Sequence, residues 1–471
     1  MNLRGKKVLV LGMGETGLSM TKWLLRLGAD VRVADSRTNP PHLASLVHLV
    51  AAEEAYLGAF NVEIIEDISL IALSPGVPLI EPVVQQALRQ GIPVLGDIAL
   101  FNLALKQDKT THPKVLAITG SNGKTTVTAM VGAMINKAGW DVEVAGNIGP
   151  AVLDVLRERM DAGTLPQAWV LEVSSFQLET TPHLNADAAV VLNLSEDHLD
   201  RYTDMVAYTA AKVNIFNCDA GHEVVQILNR DDNQVCEMAL VEQTQVTFGL
   251  SAPASDAEFG LLHDGDDIWL MQGKTCLLKT SELVVAGLHN AVNALAALAI
   301  CRAINLPFEP LLQALREFRG LPHRMEKVAI FNGVTFFDDS KSTNVGATVA
   351  ALNGIKQKVI LIAGGEGKGQ NFSPLSQPVS ESARAVVLIG KDAQRIATAI
   401  DGSEVPIHFA ETMQEAMQIS FLLAQSGDVV LLSPACASFD MFKNYIHRAE
   451  VFVAAVKEIE NKFFNFGQKK H

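Results

Sequence analysis

The sequence predicts an α/β protein of three domains in series, and three observations carry that prediction. Short aliphatic and β-branched runs alternate with helix-periodic stretches along all 471 residues. Two strand-to-helix junctions, at residues 11–17 and 119–125, are rich in glycine. The length corresponds to about three domains of ordinary size, each able to bury its own core. The expected boundaries place the domains at 1–107, 108–320 and 321–471.

Composition narrows the function classes. The chain is 48% hydrophobic and 19% charged, with a net charge of −14 spread along its length. No basic stripe is present to neutralise a phosphate backbone, so nucleic acid is not expected as the main partner. A single anionic ligand, held by local N–H groups and a few cations, remains compatible with that charge. The five cysteines (218, 236, 276, 301 and 436) lie far apart with no C-x-x-C, which fits a reduced compartment better than a disulfide framework. No apolar run approaches the ~18 residues of a membrane span. Arg4, Lys6 and Lys7 precede an apolar run that ends at Gly12, so this segment reads as a first strand, not a signal peptide. A cytoplasmic protein with no stable membrane insertion, and a monomer, is the expectation.

In the first domain, Val8–Leu11 leads to Gly12-x-Gly14-x-x-Gly17, a helix through Leu27, and a second strand Val31–Ala34 closing at Asp35. This is a dinucleotide-type βαβ unit with an acidic residue at the end of its second strand, hence Rossmann-like. The crevice could take a nicotinamide dinucleotide or another nucleotide's diphosphate. Ser74-Pro-Gly-Val77 follows the apolar run Ile68–Leu73, either a ligand loop at a strand's carboxyl end or a plain Pro-Gly turn.

The polar stretch 106–114 marks the first boundary. Beyond it the strand Val115–Thr119 runs into Gly120-Ser121-Asn122-Gly123-Lys124-Thr125-Thr126 and then a helical stretch. Glycines there let backbone N–H groups close on phosphate oxygens, Lys124 can reach β/γ phosphates, and the Thr125 hydroxyl can ligate Mg²⁺. Ile118 occupies the first glycine position of the general phosphate-loop motif, so an ordinary βα turn is the competing reading. Glu172 ends the strand Trp169–Leu171, where a nucleotide-bound Mg²⁺ would find a second protein ligand. The run Val190–Leu194 precedes Asp197, His198, Asp200 and Arg201, which face either solvent or a charged ligand. Lys212 sits on a helical stretch, and on spacing alone it is an ordinary surface lysine. Residues 223–286 are richer in short alternating strands. Asn290 and Asn293 share one helical face near a helix start, where asparagines are usually caps.

The second boundary falls near Phe318–Pro322. The third domain alternates buried-strand candidates (Val359–Ala363, Ala385–Ile389, Val429–Leu432) with helical stretches. Polar loops follow several strands: Asp338–Asn344 after Thr335–Phe337, Lys368 after Gly364-Gly-Glu-Gly367, and Ser438 to Tyr445 after the last strand. A phosphate loop on one domain and such loops on its neighbour are the pattern of a triphosphate meeting a second substrate.

The motifs Gly120–Thr126, Glu172-Val-Ser-Ser-Phe-Gln-Leu178, Asn193–Asp200, Gly287–Ala294, Gly320-Leu-Pro-His-Arg324 and Asp338–Asn344 occur in this order across all three domains. Together they resemble the Mur ligase family, which builds the peptide stem of bacterial cell-wall precursors. The short phosphate loop is that family's usual form. Asp338–Asn344 and Leu432–Asp440 resemble the D-glutamate-adding member, and the Asp-Asn-Pro-Arg motif of the diamino-acid-adding member is absent.

The resemblance implies an ATP-dependent amide ligase joining D-glutamate to UDP-N-acetylmuramoyl-L-alanine through an acyl phosphate, on a Rossmann-like first domain, a central P-loop ATPase-type domain and a Rossmann-like third domain. It implies that Gly120, Ser121, Asn122, Gly123, Lys124, Thr125, Thr126, Asn290, Asn293, Arg324 and Asp339 bind ATP. Glu15, Thr16, Asp35, Ser36, Arg37, Ser74, Asn147 and Ser174 would contact the UDP-precursor. Lys341, Thr343, Lys368, Ser438 and Tyr445 would surround D-glutamate. Two Mg²⁺ sites are implied, one at Thr125 and Glu172, the other at His198 and a carbamylated Lys212; Lys124, His198 and Lys212 are the catalytic set. Tyr445 stands where the family commonly has phenylalanine, Ser36 where threonine is frequent, and Glu15 where an apolar residue is common. Rival readings are another amide ligase of the superfamily, a nucleotide-dependent regulatory protein with a degenerate site, and an NAD-dependent oxidoreductase.

Overall fold

A computed structural model describes residues 2–108, 111–285 and 287–468, with side chains described up to 463. The chain divides into two compact units. One comprises residues up to Leu194 with Val206–Glu282 and Val292–Glu317; the other comprises Ser195–Met205, Leu283–Ala291 and residues from Phe318 onward.

The first unit carries two sheets. The N-terminal one is built from β1 (Lys7–Leu11), β2 (Asp30–Asp35), β3 (Ala55–Leu57), β4 (Leu70–Leu73) and β5 (Val94–Leu95), in the spatial order β3-β2-β1-β4-β5 with every pairing parallel. Parallel strands are covered on both faces, which is why these segments read as continuous apolar runs. Val8, Val10, Val31 and Val33 pack with Met20, Trp23 and Leu24 of the helix Glu15–Arg26. The alternate residues Leu9, Leu11, Ile71 and Leu73 pack with Val83, Val84 and Ala87 of the helix Pro82–Arg89. The chain order reverses direction between β1 and β4, and the crevice beyond their carboxyl ends is where such sheets take ligands.

The second sheet has nine strands: β6 (Lys114–Thr119), β7 (Val142–Gly146), β8 (Ala168–Glu172), β9 (Ala188–Val191), β10 (Val225–Asn229), β11 (Gln245–Phe248), β12 (Glu258–Asp264), β13 (Asp267–Gln272) and β14 (Thr275–Lys279). Their order is β14-β13-β12-β11-β10-β9-β6-β8-β7, parallel from β7 to β12 and antiparallel in the β12-β13-β14 ribbon. Gly265 (φ 58°) and Gly273 (φ 50°) take the left-handed conformations that the two ribbon turns require. A continuous apolar cluster joins both sheets' helices, with Phe101 edge-on to Trp169 at 5.0 Å.

One expected strand is shorter than the sequence indicates. Val190–Leu194 reads as a single apolar run, but β9 ends at Val191. Beyond it the chain is diverted to the phosphate loop: Leu192 N–H donates to Thr119 O at 3.0 Å, and Asn193 O accepts from Ser121 N–H at 2.9 Å.

The second unit holds β15 (Glu326–Phe331), β16 (Val334–Asp338), β17 (Val359–Gly364), β18 (Ala383–Ile389), β19 (Ile407–Phe409) and β20 (Val429–Leu432), in the order β15-β16-β20-β17-β18-β19. Only the β15–β16 pairing is antiparallel. Residues alternate between two cores here as well, Leu361, Val386 and Leu431 on one face and Ile360, Val387 and Val430 on the other. Among the described residues no helix is long and apolar enough to cross a membrane.

Candidate functional site

The phosphate loop follows β6 and opens the helix Lys124–Lys137. Gly123 has φ 83°, and a Cβ on it would lie 2.7 Å from Asn293 Oδ1, so the position needs glycine both for its backbone and for the approach of Asn293. Asn193 fixes the loop from the side: its Oδ1 accepts from Asn122 N–H at 2.8 Å and its amide donates to Asn122 O at 3.1 Å. Ser121 Oγ lies 3.0 Å from the Tyr208 hydroxyl. The Lys124 ammonium curls over its own loop, donating to Gly120 O at 2.8 Å and Ser121 O at 3.0 Å.

Lys212 corrects the expectation from spacing. It is 1% exposed, and its ammonium donates to Gly120 O at 3.0 Å and Thr119 Oγ1 at 3.2 Å, 4.7 Å from the Tyr208 ring centroid. Burying an ammonium is costly. Its place against the phosphate loop is therefore the feature that helical spacing could not reveal.

Glu172 ends β8, directly paired with Ile118, one residue before the end of β6. It is 1% exposed; Oε1 accepts from Asn147 Nδ2 at 2.6 Å, and Oε2 is buried without a hydrogen-bond partner. An orphaned carboxylate oxygen beside a phosphate loop has the chemistry a hard divalent cation requires, so this residue fits Mg²⁺.

A cavity of about 660 Å³ opens at the carboxyl ends of the first sheet. Glu15, Thr16, Asp35, Ser36, Arg37, Ser74 and Asn147 all line it, whereas Ser174 does not. A Cβ on Gly17 would overlap Gly12 O, which lets the helix start press against the strand end as the third fingerprint glycine should. Asp35 is buried and accepts from Met13 N–H (2.7 Å) and Arg37 N–H (2.9 Å), with the Arg37 guanidinium on both oxygens at 2.8 and 2.7 Å. Burial alone would raise its pKa, but Arg37 and these two amides prevail and lower it to about 2. The carboxylate stays ionised and directs the half-exposed Arg37 to the cavity rim.

Two further residues line the cavity: Asp97, which carries no signal of its own in the sequence, and Gln177, which lies in the motif 172–178 but to which the resemblance assigns no site role. Ser174 caps the helix Ser175–Glu179 in a reciprocal capping box with Gln177.

In the second unit, Asp197 is the residue the sequence undervalued. It is 6% exposed; Oδ1 accepts from His198 N–H at 3.0 Å and lies 3.5 Å from Lys368 Nζ, while Oδ2 is 3.4 Å from Asn344 Nδ2. His198 and Lys368 both hold positive φ, 57° and 50°. Asp339 is buried; its oxygens accept from Ser342 Oγ, Ser433 Oγ (2.8 Å) and Met325 N–H (3.2 Å), and burial pushes its pKa up to about 6. The Lys341 ammonium lies 3.9 Å over the Tyr445 ring. Ser438 Oγ is buried without a partner. Thr343 and Arg324 are part-buried on the same unit. Asn290 and Asn293 lie within the helix Leu288–Ala303, in its first and second turns.

His323, Glu326 and Asp338 also cluster tightly enough to ligate a metal. Their mutual bonds account for the cluster: His323 Nδ1 lies 2.7 Å from Asp338 Oδ2, and His323 N–H donates to Glu326 Oε2 at 2.9 Å.

Comparison with known proteins matches three family descriptions to this chain: the Mur ligase MurD-like N-terminal domain over residues 6–96, the Mur ligase middle domain over 118–301, and the Mur ligase glutamate ligase domain over 323–436. The UDP-N-acetylmuramoylalanine–D-glutamate ligase of Nitrosomonas europaea is 65% identical over 471 residues, 100% of each chain. That of Nitrosospira multiformis is 62% identical over 460 residues, 98% of this chain and 97% of the relative. Among solved structures, MurF from Acinetobacter baumannii superposes with a TM-score of 0.60 at 17% identity, covering 96% of this chain and 91% of that one. The UDP-N-acetylmuramate-alanine ligase MurC from Thermotoga maritima gives 0.58 at 20%, covering 96% and 99%. These structures share the three-domain α/β fold, and the full-length sequence likeness goes further: the chain belongs to the Mur ligase family.

Proposed function

We propose that this chain is an ATP-dependent ligase joining D-glutamate to UDP-N-acetylmuramoyl-L-alanine in peptidoglycan precursor synthesis. One observation carries the reading: the phosphate loop with Glu172 beside it sits in a chain 65% identical, end to end, to a relative of that name.

A carboxylate is inert toward amines near neutral pH because an oxide leaving group would have to depart. In the proposed reaction the L-alanyl carboxylate attacks the γ-phosphorus of ATP and ADP leaves. The D-glutamate amine then adds to the resulting acyl phosphate, loses a proton, and the tetrahedral intermediate expels inorganic phosphate. Phosphoryl transfer needs in-line positioning and positive charge more than covalent help. The loop amides from Gly120 to Thr126 would cradle the phosphates, with the Lys124 ammonium swinging from its own loop carbonyls onto the β/γ oxygens. Asn290, Asn293, Arg324 and Asp339 complete the ATP set. Thr125 and Glu172 would hold Mg²⁺, and His198 with Lys212 as its carbamate a second. When bound, the ions neutralise charge developing on the transferred group. Carbamylation would convert the buried Lys212 cation into an oxygen ligand while retaining an N–H for one of its present acceptors.

The first-unit cavity is read as the UDP-precursor site, with Arg37 and Asp35 at the nucleoside end, Thr16 and the helix start for the diphosphate, and Ser74 and Asn147 toward the sugar; Ser174, which does not line it, would contact the precursor from beyond its wall. Lys341, Thr343, Lys368, Ser438 and Tyr445 would take D-glutamate, whose two carboxylates call for cations and hydroxyls. The domain limits 1–107, 108–320 and 321–471 belong to the same reading. The test is ADP release, which should require both UDP-N-acetylmuramoyl-L-alanine and D-glutamate. L-glutamate, L-alanine or a diamino acid supporting turnover equally well would overturn it.

A further inference from the structure

We infer that Asp97 is a positioning residue for the first-unit cavity: as an acceptor-only group it dictates the orientation of the Gln177 amide, which in turn fixes the Ser174–Gln177 turn. Asp97 lies between the stretches matched as N-terminal and middle domains, 6–96 and 118–301, and it opens the helix Asp97–Gln107. It is 3% exposed, and its Oδ2 accepts from Gln177 Nε2 at 2.9 Å across the junction of the two sheets' elements. The other end of that amide is committed as well. Gln177 Oε1 accepts from Ser174 N–H at 3.1 Å and lies 3.2 Å from Ser174 Oγ, which itself accepts from Gln177 N–H at 3.2 Å.

A side-chain amide can present oxygen or nitrogen at either end, and its neighbours decide which. Ser174 N–H takes the oxygen at one end and a neighbour that cannot donate holds the NH₂ at the other, so both select the same orientation. A carboxylate meets that demand and an asparagine does not, because asparagine offers both groups. The arrangement carries a desolvation cost. Asp97 is almost fully buried, and burial pushes its carboxyl pKa up to about 6 against the Gln177 bond and the backbone N–H groups of Ile98 and Asp97 at the helix start. Asp97 and Gln177 both line the cavity, while Ser174 lies two residues beyond Glu172. One buried carboxylate thus orders the Ser174–Gln177 turn at the cavity wall.

The inference rests on reading this cavity as the UDP-precursor site, and the test separates the two. The variants are Asp97→Asn, Gln177→Glu and the double exchange. Each single variant should raise KM for the precursor about tenfold, the equivalent of one buried hydrogen bond, with KM for ATP within about twofold. In the double variant the introduced amide donates and the introduced carboxylate accepts at both of its ends, so complementarity returns and KM should recover to within about threefold of the parent. Hydrogen exchange of amides 174–178 gives a readout independent of ligand: faster in each single variant, restored in the double. Additive damage in both measurements, or single variants indistinguishable from the parent, overturns the positioning role. If exchange follows the expected pattern while the parent fails to bind the precursor, the cavity assignment falls and the relay stands.

Discussion

Replacing Lys212 by methionine separates a role in chemistry from a role in folding. The side chain is 1% exposed, and methionine matches most of its stem, so packing against Tyr208 and the β6 end is largely retained. What disappears is an ammonium with bonds of 3.0 and 3.2 Å to Gly120 O and Thr119 Oγ1. Each bond to a charged donor contributes about 1.5–3 kcal/mol, but methionine also removes the desolvation cost of a buried cation, several kcal/mol. These terms offset, and the net change in unfolding free energy should be within about 2 kcal/mol, a few degrees in Tm for a chain of this size. Activity should respond quite differently. Loss of an oxygen ligand beside the phosphate loop should lower kcat by about 10³-fold or more, corresponding to roughly 4 kcal/mol of transition-state stabilisation. The assay is ADP release under saturating ATP, D-glutamate and precursor, beside thermal unfolding of the same preparation. Lys212→Ala should lose as much activity but regain part of it with a short carboxylic acid, which restores the oxygen ligand in the space left. Methionine fills that space and should not be rescued. A Lys212→Met enzyme within tenfold of the parent would refute the carbamate argument, as would equal losses of stability and activity.

Glu172→Gln keeps the bond to Asn147 but leaves the orphaned oxygen position uncharged or as a donor; the Mg²⁺ concentration for half-maximal activity should rise more than about tenfold. An unchanged magnesium titration would contradict its proposed role as a ligand. Gly123→Ala should raise KM for ATP by roughly tenfold or more, since a residue at φ 83° costs about 1–2 kcal/mol and the new methyl meets Asn293 Oδ1; KM for the precursor serves as the internal control. For Asp35 the folded-state pKa of about 2 lies below the ordinary value of 3.8, so its stabilisation is present above pH 3.8 and is lost as pH falls through 2. Asp35→Asn should therefore cost about 2 kcal/mol at neutral pH, with the gap from the parent closing between pH 4 and 2 in urea unfolding; a gap independent of pH would remove the ion-pair account.

What was legible in the sequence was local. The strand-glycine-helix junctions at residues 11–17 and 119–125 lie where expected, because a glycine at a left-handed or crowded position is a demand of the adjoining backbone. The apolar runs of β1, β4, β17 and β20 read correctly because parallel strands are covered on both faces. β7 gives no comparable signal: Val-Glu-Val-Ala-Gly is short, interrupted by Glu143 and mostly part-buried, at the edge of its sheet. The misread end of β9 has the same origin as the missed burial of Lys212. Leu192 and Leu194 look like strand, and Lys212 looks like helix surface, until the phosphate loop some 70 to 90 residues earlier is folded against them. Asp97 and Gln177 are 80 residues apart, and Asp197 meets Asn344 across 147, separations at which neither partner announces the other.

The acyl phosphate is tested most directly by following oxygen. With ¹⁸O in the L-alanyl carboxylate of the precursor, the account predicts that the inorganic phosphate released on amide formation carries one heavy oxygen, because the attacking carboxylate oxygen departs with phosphorus. Phosphate free of the label, formed alongside the amide product, would contradict it.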